Sequence, residues 1–372
     1  MVTRDILKTI KRYLFKGKIL IIYGARQVGK TTVVKDILNG DLSSYFNCQL
    51  RSVKRQLESL EPYQTKEFLG NGKIIVLDEA QKVENIGLAL KQLIDTFPDL
   101  QIIATGSSSF DLSNKINEPL TGRAFEFKLY PFSVNEIVNH QDKKIVLESL
   151  EKILTYGLYP EVYLSSKNLA QKLIETISSQ YLYQDVLEFE QIKKPQTIVR
   201  LLELLAMQLG SETSTNELAT NLQVNRDTVE RYLDLLEKSF VIFRLRSFSR
   251  NLRKEIAKKQ KIYFFDVGIR NAILNRYNSL SLRDDIGGLW ENFLVAERIK
   301  RQDRQEIPFN NYFWRTHDQK EIDYLEEVDG HLYAYEFKWA GQKVKKPKEF
   351  LKTYPKATFK LVTKDNFLSF VT

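Results

Sequence analysis

The sequence predicts an α/β protein that begins with a parallel sheet, and three stretches carry that prediction. Residues 19–32 read ILIIYGARQVGKTT: an apolar run, a glycine-containing turn, then residues able to start a helix. Residues 73–81 read KIIVLDEAQ, a second apolar run that delivers an acidic pair. Residues 101–105 form a third, followed by Gly106 and three serines, Ser107, Ser108 and Ser109. Short, wholly apolar runs bounded by turns belong to strands buried on both faces, the usual condition of a parallel sheet.

The first stretch organises the rest. Gly24, Gly29, Lys30 and Thr31 fit the spacing G-x-x-x-x-G-K-[ST] without a mismatch. Glycines let the backbone bend until several N–H groups converge on one anion, and the following helix adds the positive end of its dipole. The expected nucleotide-binding set is therefore Gly24, Ala25, Arg26, Gln27, Val28, Gly29, Lys30, Thr31 and Thr32, with ATP and Mg²⁺ as cofactors. Lys30 would reach the β- and γ-phosphates and the Thr31 hydroxyl would ligate Mg²⁺. At the end of the second stretch, Asp78 would hold the same Mg²⁺ and Glu79 would polarise the attacking water. After the third, Ser107 is the candidate sensor of the γ-phosphate, with Thr105 close behind. Arg123 follows a glycine just before the alternating strand pattern of residues 124–129. It is a candidate for stabilising transferred phosphate charge, in cis or on a neighbouring subunit, and equally for a carboxylate pair inside the fold.

Composition bounds the remainder. The chain has 372 residues, room for two or three domains, and 43% of them are hydrophobic, enough for a normal core. Its one cysteine, Cys48, excludes an internal disulfide and a thiolate metal cluster, and three histidines leave little for a His-based zinc site. No apolar run approaches the roughly 20 residues of a membrane span, so a cytoplasmic protein without a membrane partner is expected. The net charge of +9 leans mildly toward polyanions, and equally suits a lysine-rich surface. Residues 1–18 read as an amphipathic helix that packs on the nucleotide-binding core.

Further elements follow in order. Residues 32–38 continue the phosphate-loop helix to Asn39-Gly40, and residues 43–50 read as a second strand. Residues 135–190 read helical, interrupted at Gly157-Leu158-Tyr159-Pro160, and Lys193-Lys194-Pro195 reads as a boundary. Residues 197–209 form a helix; Ser214 and Glu217 are spaced as a capping box at the start of another; residues 227–238 form a third. Residues 240–245 and 262–265 read as strands flanking the basic stretch 250–261. Three helices followed by a basic two-stranded hairpin is a winged helix-turn-helix pattern. In that pattern Arg226, Thr228 and Arg231 would face DNA and the wing lysines Lys258, Lys259 and Lys261 would touch phosphates. Glu230, Asp234 and Glu237 on the same helix argue the other way, toward a winged helix used for protein docking or as a spacer.

In the last third, residues 290–300 are an amphipathic helix and residues 312–314, 320–325 and 332–338 are short strands. Glu336 and Lys338 are two apart and share a strand face, and Asp323 lies on the preceding strand. This is the D…E-x-K arrangement of a metal-dependent phosphodiesterase. Asp323 and Glu336 would bind Mg²⁺ or Mn²⁺, Glu291 would supply a further ligand, and Lys338 would act on the attacking water. An exposed strand edge explains an E-x-K triplet equally well.

Together these motifs resemble one family: the bacterial and archaeal AAA-type ATPases that join an N-terminal P-loop domain to a C-terminal PD-(D/E)XK nuclease-like domain of unknown function. GARQVGKTT, VLDEAQ, ATGSSS, LTGR, YGLYPEV, IYFFDVGIRNAI, WENFLVAE and EIDY…YEFK carry the resemblance over nearly the full length. It implies a P-loop ATPase domain at 1–134, a helical subdomain at 135–194, a winged helix at 195–265 and an α/β nuclease-like domain at 266–372. It implies ATP binding and leaves the biological role open; the leading expectation from the residues is a Mg²⁺-dependent ATPase whose nucleotide state controls a winged-helix and nuclease-like arm acting on DNA. The alternative is a nucleotide-dependent switch that binds a protein partner or further copies of itself, with an inactive nuclease-like module.

Overall fold

The computed structural model describes residues 2–107, 120–181, 195–249, 260–316, 320–340 and 346–372. They divide into two compact units. The first runs to Pro131 and also takes in Lys238–Phe240; the second holds the rest of the described chain from Phe132 onward.

The first unit is a five-stranded parallel sheet in the order β2-β3-β4-β1-β5. Its strands are β1 (Ile19–Tyr23), β2 (Tyr45–Asn47), β3 (Ile74–Asp78), β4 (Gln101–Gly106) and β5 (Ala124–Lys128). All of β1 and β4 is buried, including the polar Gln101 and Thr105 at the two ends of the apolar run in β4. β5 alternates because it is an edge: Phe125 and Phe127 receive the ring of Tyr13, with centroids 4.8 and 5.5 Å away. Tyr13 ends the helix Ile6–Tyr13, which buries Leu7 and Ile10. The strand expected at 43–50 is shorter than its sequence pattern. A 3₁₀ turn, Leu42–Ser44, takes its first residues, and the Asp41 side chain caps that turn by accepting from the Ser43 N–H.

The second unit carries a seven-stranded sheet in the order β12-β11-β10-β9-β7-β8-β6. The strands are β6 (Glu212–Thr213), β7 (Ile242–Ser247), β8 (Gln260–Phe264), β9 (Asn310–Arg315), β10 (Glu321–Val328), β11 (His331–Phe337) and β12 (Thr358–Val362). The helices Pro195–Met207, Thr215–Leu222 and Arg226–Lys238 interleave with β6 and precede β7 and β8. β8 is antiparallel to both β6 and β7. β6 is two residues long, too short to leave a periodic signal in the sequence.

The expected division at 265/266 therefore falls inside one sheet. β7 pairs in parallel with β9, Arg246 opposite Tyr312, and so joins the hairpin to the C-terminal strands. The helical segment is equally continuous with the helix that comes after β8. Asp266 accepts from the N–H groups of Leu158, Gly268 and Ile269, tying the Gly157 turn to the start of the helix Val267–Ile273. A side chain at Gly268 would lie 2.0 Å from the Tyr156 carbonyl oxygen. Asn271 then donates to the carbonyls of Leu154 and Thr155 at 2.8 and 2.9 Å. Three segments that composition separates are one packed body. Residues 182–194 and 250–259, including the expected boundary lysines and Lys258 and Lys259, lie outside the described residues, as do Ser108 and Ser109.

Candidate functional site

The phosphate loop begins where β1 ends. Gly24 is required by a close approach: a Cβ there would sit 2.2 Å from the Leu129 carbonyl oxygen. Gly29, at φ +96°, has a left-handed backbone that favours glycine, and the helix Lys30–Ile37 starts immediately after it. Ala25 and Val28 are buried, Arg26 is half-buried, and Gln27 and Thr32 are exposed. Lys30 is buried and its ammonium donates to the carbonyls of Gly24 and Ala25, both at 2.9 Å.

Asp78 stands at the C-terminal end of β3, 3% exposed. One carboxylate oxygen accepts from the Thr31 hydroxyl at 2.9 Å and from the Tyr45 hydroxyl at 2.5 Å; the other accepts from Thr105. Thr31 and Asp78, far apart in sequence, thus form one hard-oxygen pair beside the phosphate loop, a donor set that suits Mg²⁺. Glu79, the next residue, has a left-handed backbone at φ +56°, unusual for a side chain of its size. Its N–H donates to Thr105 Oγ1 at 3.1 Å. Its carboxylate accepts from the Gln81 amide at 2.6 Å, and the same amide nitrogen lies 2.9 Å from Ser107 Oγ.

β4 lies between β1 and β3, so Thr105 and Ser107 lie between the phosphate loop and the acidic pair. Thr105 fixes Asp78 and the Glu79 backbone; Ser107 reaches Glu79 through Gln81. Cys48 lies under the same strand end. Burial first, then Asp78 and Glu79, push its thiol up to about 12, so it stays protonated and unreactive.

Sequence reasoning missed Arg4, Tyr45 and Gln81. Arg4 is buried and donates to the Val28 carbonyl at 2.6 Å and the Tyr130 carbonyl at 2.7 Å, pinning the phosphate loop to the chain after β5. Nothing in the local sequence marks Arg4 or Tyr45. Gln81 had a signal, its place two residues after Glu79, but its amide acts only through the turn Ala80–Lys82 that brings it back.

Of the two alternatives for Arg123, the structure has the carboxylate pair inside the fold. Arg123 precedes β5, which runs parallel to β1, so it sits at the opposite end of the sheet from the phosphate loop. A five-residue strand spans about 16 Å. There Arg123 pairs with Asp95 at 2.8 Å, which accounts for its position and excludes it from the nucleotide bound by its own chain.

The C-terminal residues do converge, though around a group that the sequence assigned elsewhere. The β10–β11 register places Tyr324 opposite Tyr335, and its continuation by one residue sets Asp323 opposite Glu336 on one face. Glu336 pairs with Lys338 at 2.8 Å. Asp323 accepts from the Phe337 N–H at 2.8 Å. Lys261, expected to touch phosphates from the wing, has no exposed surface. Its ammonium pairs with Glu291 at 2.8 Å and with Glu321 at 2.5 Å, and the Tyr263 hydroxyl donates to the same Glu291 oxygen. Burial opposes the charge on Lys261, but Glu291, Glu321 and Asp323 outweigh it and hold the group protonated. Burial, then Glu291 and Glu336, raises the Asp323 carboxyl well above the carboxylate range.

Among the described residues no three acidic, histidine or cysteine side chains gather closely enough to hold one cation. Glu291, Asp323 and Glu336, the expected metal ligands, lie near one another and near the buried ammonium of Lys261.

On the helix Arg226–Lys238, Arg226 and Arg231 are exposed and Thr228 is half-buried. The acidic residues of that helix are drawn to β7: Arg244 pairs with Glu230 at 3.4 Å, Asp234 at 2.5 Å and Glu237 at 2.6 Å.

Residues 16–138 match the family model described as an AAA domain. Residues 147–280 and 286–370 match two domains of unknown function, DUF8612 and DUF4143. The first of these spans the helical segment, the three helices and the hairpin, the same stretch that Asp266 and Asn271 knit together. An uncharacterised protein of Mycobacterium tuberculosis is 25% identical over 338 residues, covering 90% of this chain and 73% of its own. An uncharacterised protein of Methanocaldococcus jannaschii is 26% identical over 340 residues, covering 86% and 74%. Among solved structures, the Walker-type ATPase of Pyrococcus abyssi superposes with a TM-score of 0.51 at 16% identity, over 74% of this chain and 96% of that one. The N-terminal unit thus carries a match to an AAA domain and shares the fold of a Walker-type ATPase. Among the described residues no helix is long and apolar enough to cross a membrane.

Proposed function

We propose that the chain is a Mg²⁺-dependent ATPase. The observation that carries this is the Thr31–Asp78 hydrogen bond, which brings the loop hydroxyl and the strand-end carboxylate together beside Lys30. In this reading Lys30 binds the phosphates, and Thr31 and Asp78 hold Mg²⁺. Glu79 orients and deprotonates the attacking water, and Ser107, coupled to Glu79 through Gln81, reads the γ-phosphate. Mg²⁺ supplies neutralisation of the charge that develops on the transferred phosphoryl group.

The second unit is the arm. We read its helix–strand–helix–helix–strand–strand run, 195–264, as a winged helix that contacts DNA through Arg226 and Arg231. Arg244 supports this by engaging Glu230, Asp234 and Glu237, the residues that would otherwise repel phosphates. A nucleotide-dependent switch acting on a protein is the second reading. The burial of Lys261 favours it, because one expected phosphate contact is withdrawn from the hairpin. The test is ATP turnover of the full chain with and without duplex DNA at low salt. Stimulation that weakens steeply with salt supports the DNA reading. ATP turnover indifferent to DNA, with no measurable DNA affinity, selects the protein switch.

A further inference from the structure

We propose that Lys261 is a built-in counter-ion at the centre of the C-terminal carboxylate cluster, so that this module is assembled without the divalent cation that a phosphodiester-cleaving site needs. The geometry is that of a site already filled. Lys261 is wholly buried on β8 and reaches Glu291 on the helix Ile286–Gln305 at 2.8 Å and Glu321 on β10 at 2.5 Å. Tyr263, also on β8, donates a second hydrogen bond to Glu291. The carboxylates expected to ligate a metal are each engaged by a donor of the same chain. Glu291 is held by Lys261 and Tyr263, Asp323 by the Phe337 N–H, and Glu336 by Lys338.

A divalent cation needs several oxygens converging on one point about 2.0–2.6 Å away. To bind here it would have to enter beside a buried ammonium, and either repulsion or displacement of Lys261 opposes that. Converging carboxylates need a cation, and the chain supplies its own. The consequence is a change of role. The ammonium ties the hairpin strand β8 to the helix Ile286–Gln305 and to β10, and the carboxylates serve cohesion of the second unit rather than cleavage of a phosphodiester. Spacing alone does not reveal this, because Lys261 lies 30 residues before Glu291 and outside the E-x-K triplet.

The experiment uses the full chain without nucleotide and Mn²⁺ alone as the probe, with bound ion counted by the loss of its free-ion paramagnetic signal. Wild type is compared with Asp323→Asn, so that any Mn²⁺ held at Thr31 and Asp78 contributes equally to both. Equal binding is expected. A Mn²⁺ that wild type holds and Asp323→Asn loses overturns the proposal, as does Mn²⁺-dependent nicking of DNA that Asp323→Asn abolishes. The converse arm removes the counter-ion. Lys261→Met, with folding checked by its circular dichroism and thermal transition, is expected to gain one Mn²⁺ per chain that the double variant Lys261→Met/Asp323→Asn lacks. A folded Lys261→Met that gains none also overturns the proposal. Should Lys261→Met fail to fold, the wild-type and Asp323→Asn comparison decides alone.

Discussion

Two buried lysines take different partners in this molecule, and that difference is the basis for reading one site as built for chemistry and the other as built for cohesion. Lys30 leans on the neutral carbonyls of Gly24 and Ala25. Nearby, Asp78 is held by the hydroxyls of Thr31, Tyr45 and Thr105, which position the carboxylate without neutralising it. Lys261 is in direct ion pairs with Glu291 and Glu321, and its charge is absorbed inside the fold. The same residue types, lysine and carboxylate, thus meet two different electrostatic surroundings. Neutral hydrogen-bond donors around a carboxylate leave charge for a ligand, whereas a buried ammonium removes it.

Breaking the first site gives the largest expected effect. Glu79→Gln keeps the hydrogen-bonding shape and removes the base, so ATP turnover is expected to fall about 10²–10⁴-fold. Removing the second lysine acts on stability instead. Lys261→Met takes the buried ammonium away from the partly buried Glu291 and from Glu321, which keeps Arg315 at 3.7 Å, and denaturant unfolding is expected to show a decrease of at most about 3–5 kcal/mol. ATP turnover by the protein that remains folded is expected to persist. A Lys261→Met protein as stable as wild type would remove the contrast between the two sites.

A smaller effect tests the availability of Lys30. Mg²⁺-ATP at 100-fold above Kd is expected to stabilise wild type by about 2.7 kcal/mol, and Lys30→Ala to lose most of that shift in a thermal melt. Smaller again, replacing Arg226 and Arg231 by Glu is expected to flatten the salt dependence of DNA binding. The slope of log K against log salt changes by about 0.9 for each phosphate that the protein no longer neutralises. An unchanged slope would place the DNA contact elsewhere. Arg123→Ala is the smallest: its partner Asp95 is exposed and distant from the phosphate loop, so turnover at low enzyme concentration should stay close to wild type.

The geometry of the candidate nucleotide site was largely legible because its residues are local. Residues 24–31 are contiguous, and Asp78 and Glu79 end an apolar run whose parallel pairing places them at the same sheet edge. What sequence could not show is what arrives from far along the chain. Arg4 reaches Val28 and Tyr130, and Tyr45 reaches Asp78, through tertiary packing that no periodicity records. The C-terminal cluster hides its counter-ion in the same way. Alternation on β10 and β11 puts Asp323 and Glu336 on one face, while Lys261 reads as solvent-exposed because it closes a basic run. Its β8 position turns it inward, where Glu291, Glu321 and Asp323 need a cation. The two alternatives for Arg123 stayed open in the sequence because a residue beside a strand start carries no mark of which end of the sheet it occupies; the parallel pairing of β1 and β5 places it. The β7–β9 pairing, which crosses the expected boundary at 265/266, was hidden for the same reason, since strand partners so far apart in the chain leave no local trace.

The most direct measurement is phosphate release by wild type and Glu79→Gln at saturating Mg²⁺-ATP, with the ATP-induced thermal shift recorded on the same samples. Wild type is expected to turn over, and Glu79→Gln to keep the thermal shift while losing at least about 100-fold in rate. Equal rates in the two proteins would contradict the assignment of Glu79 and, with it, the reading of the first site as the one that does chemistry.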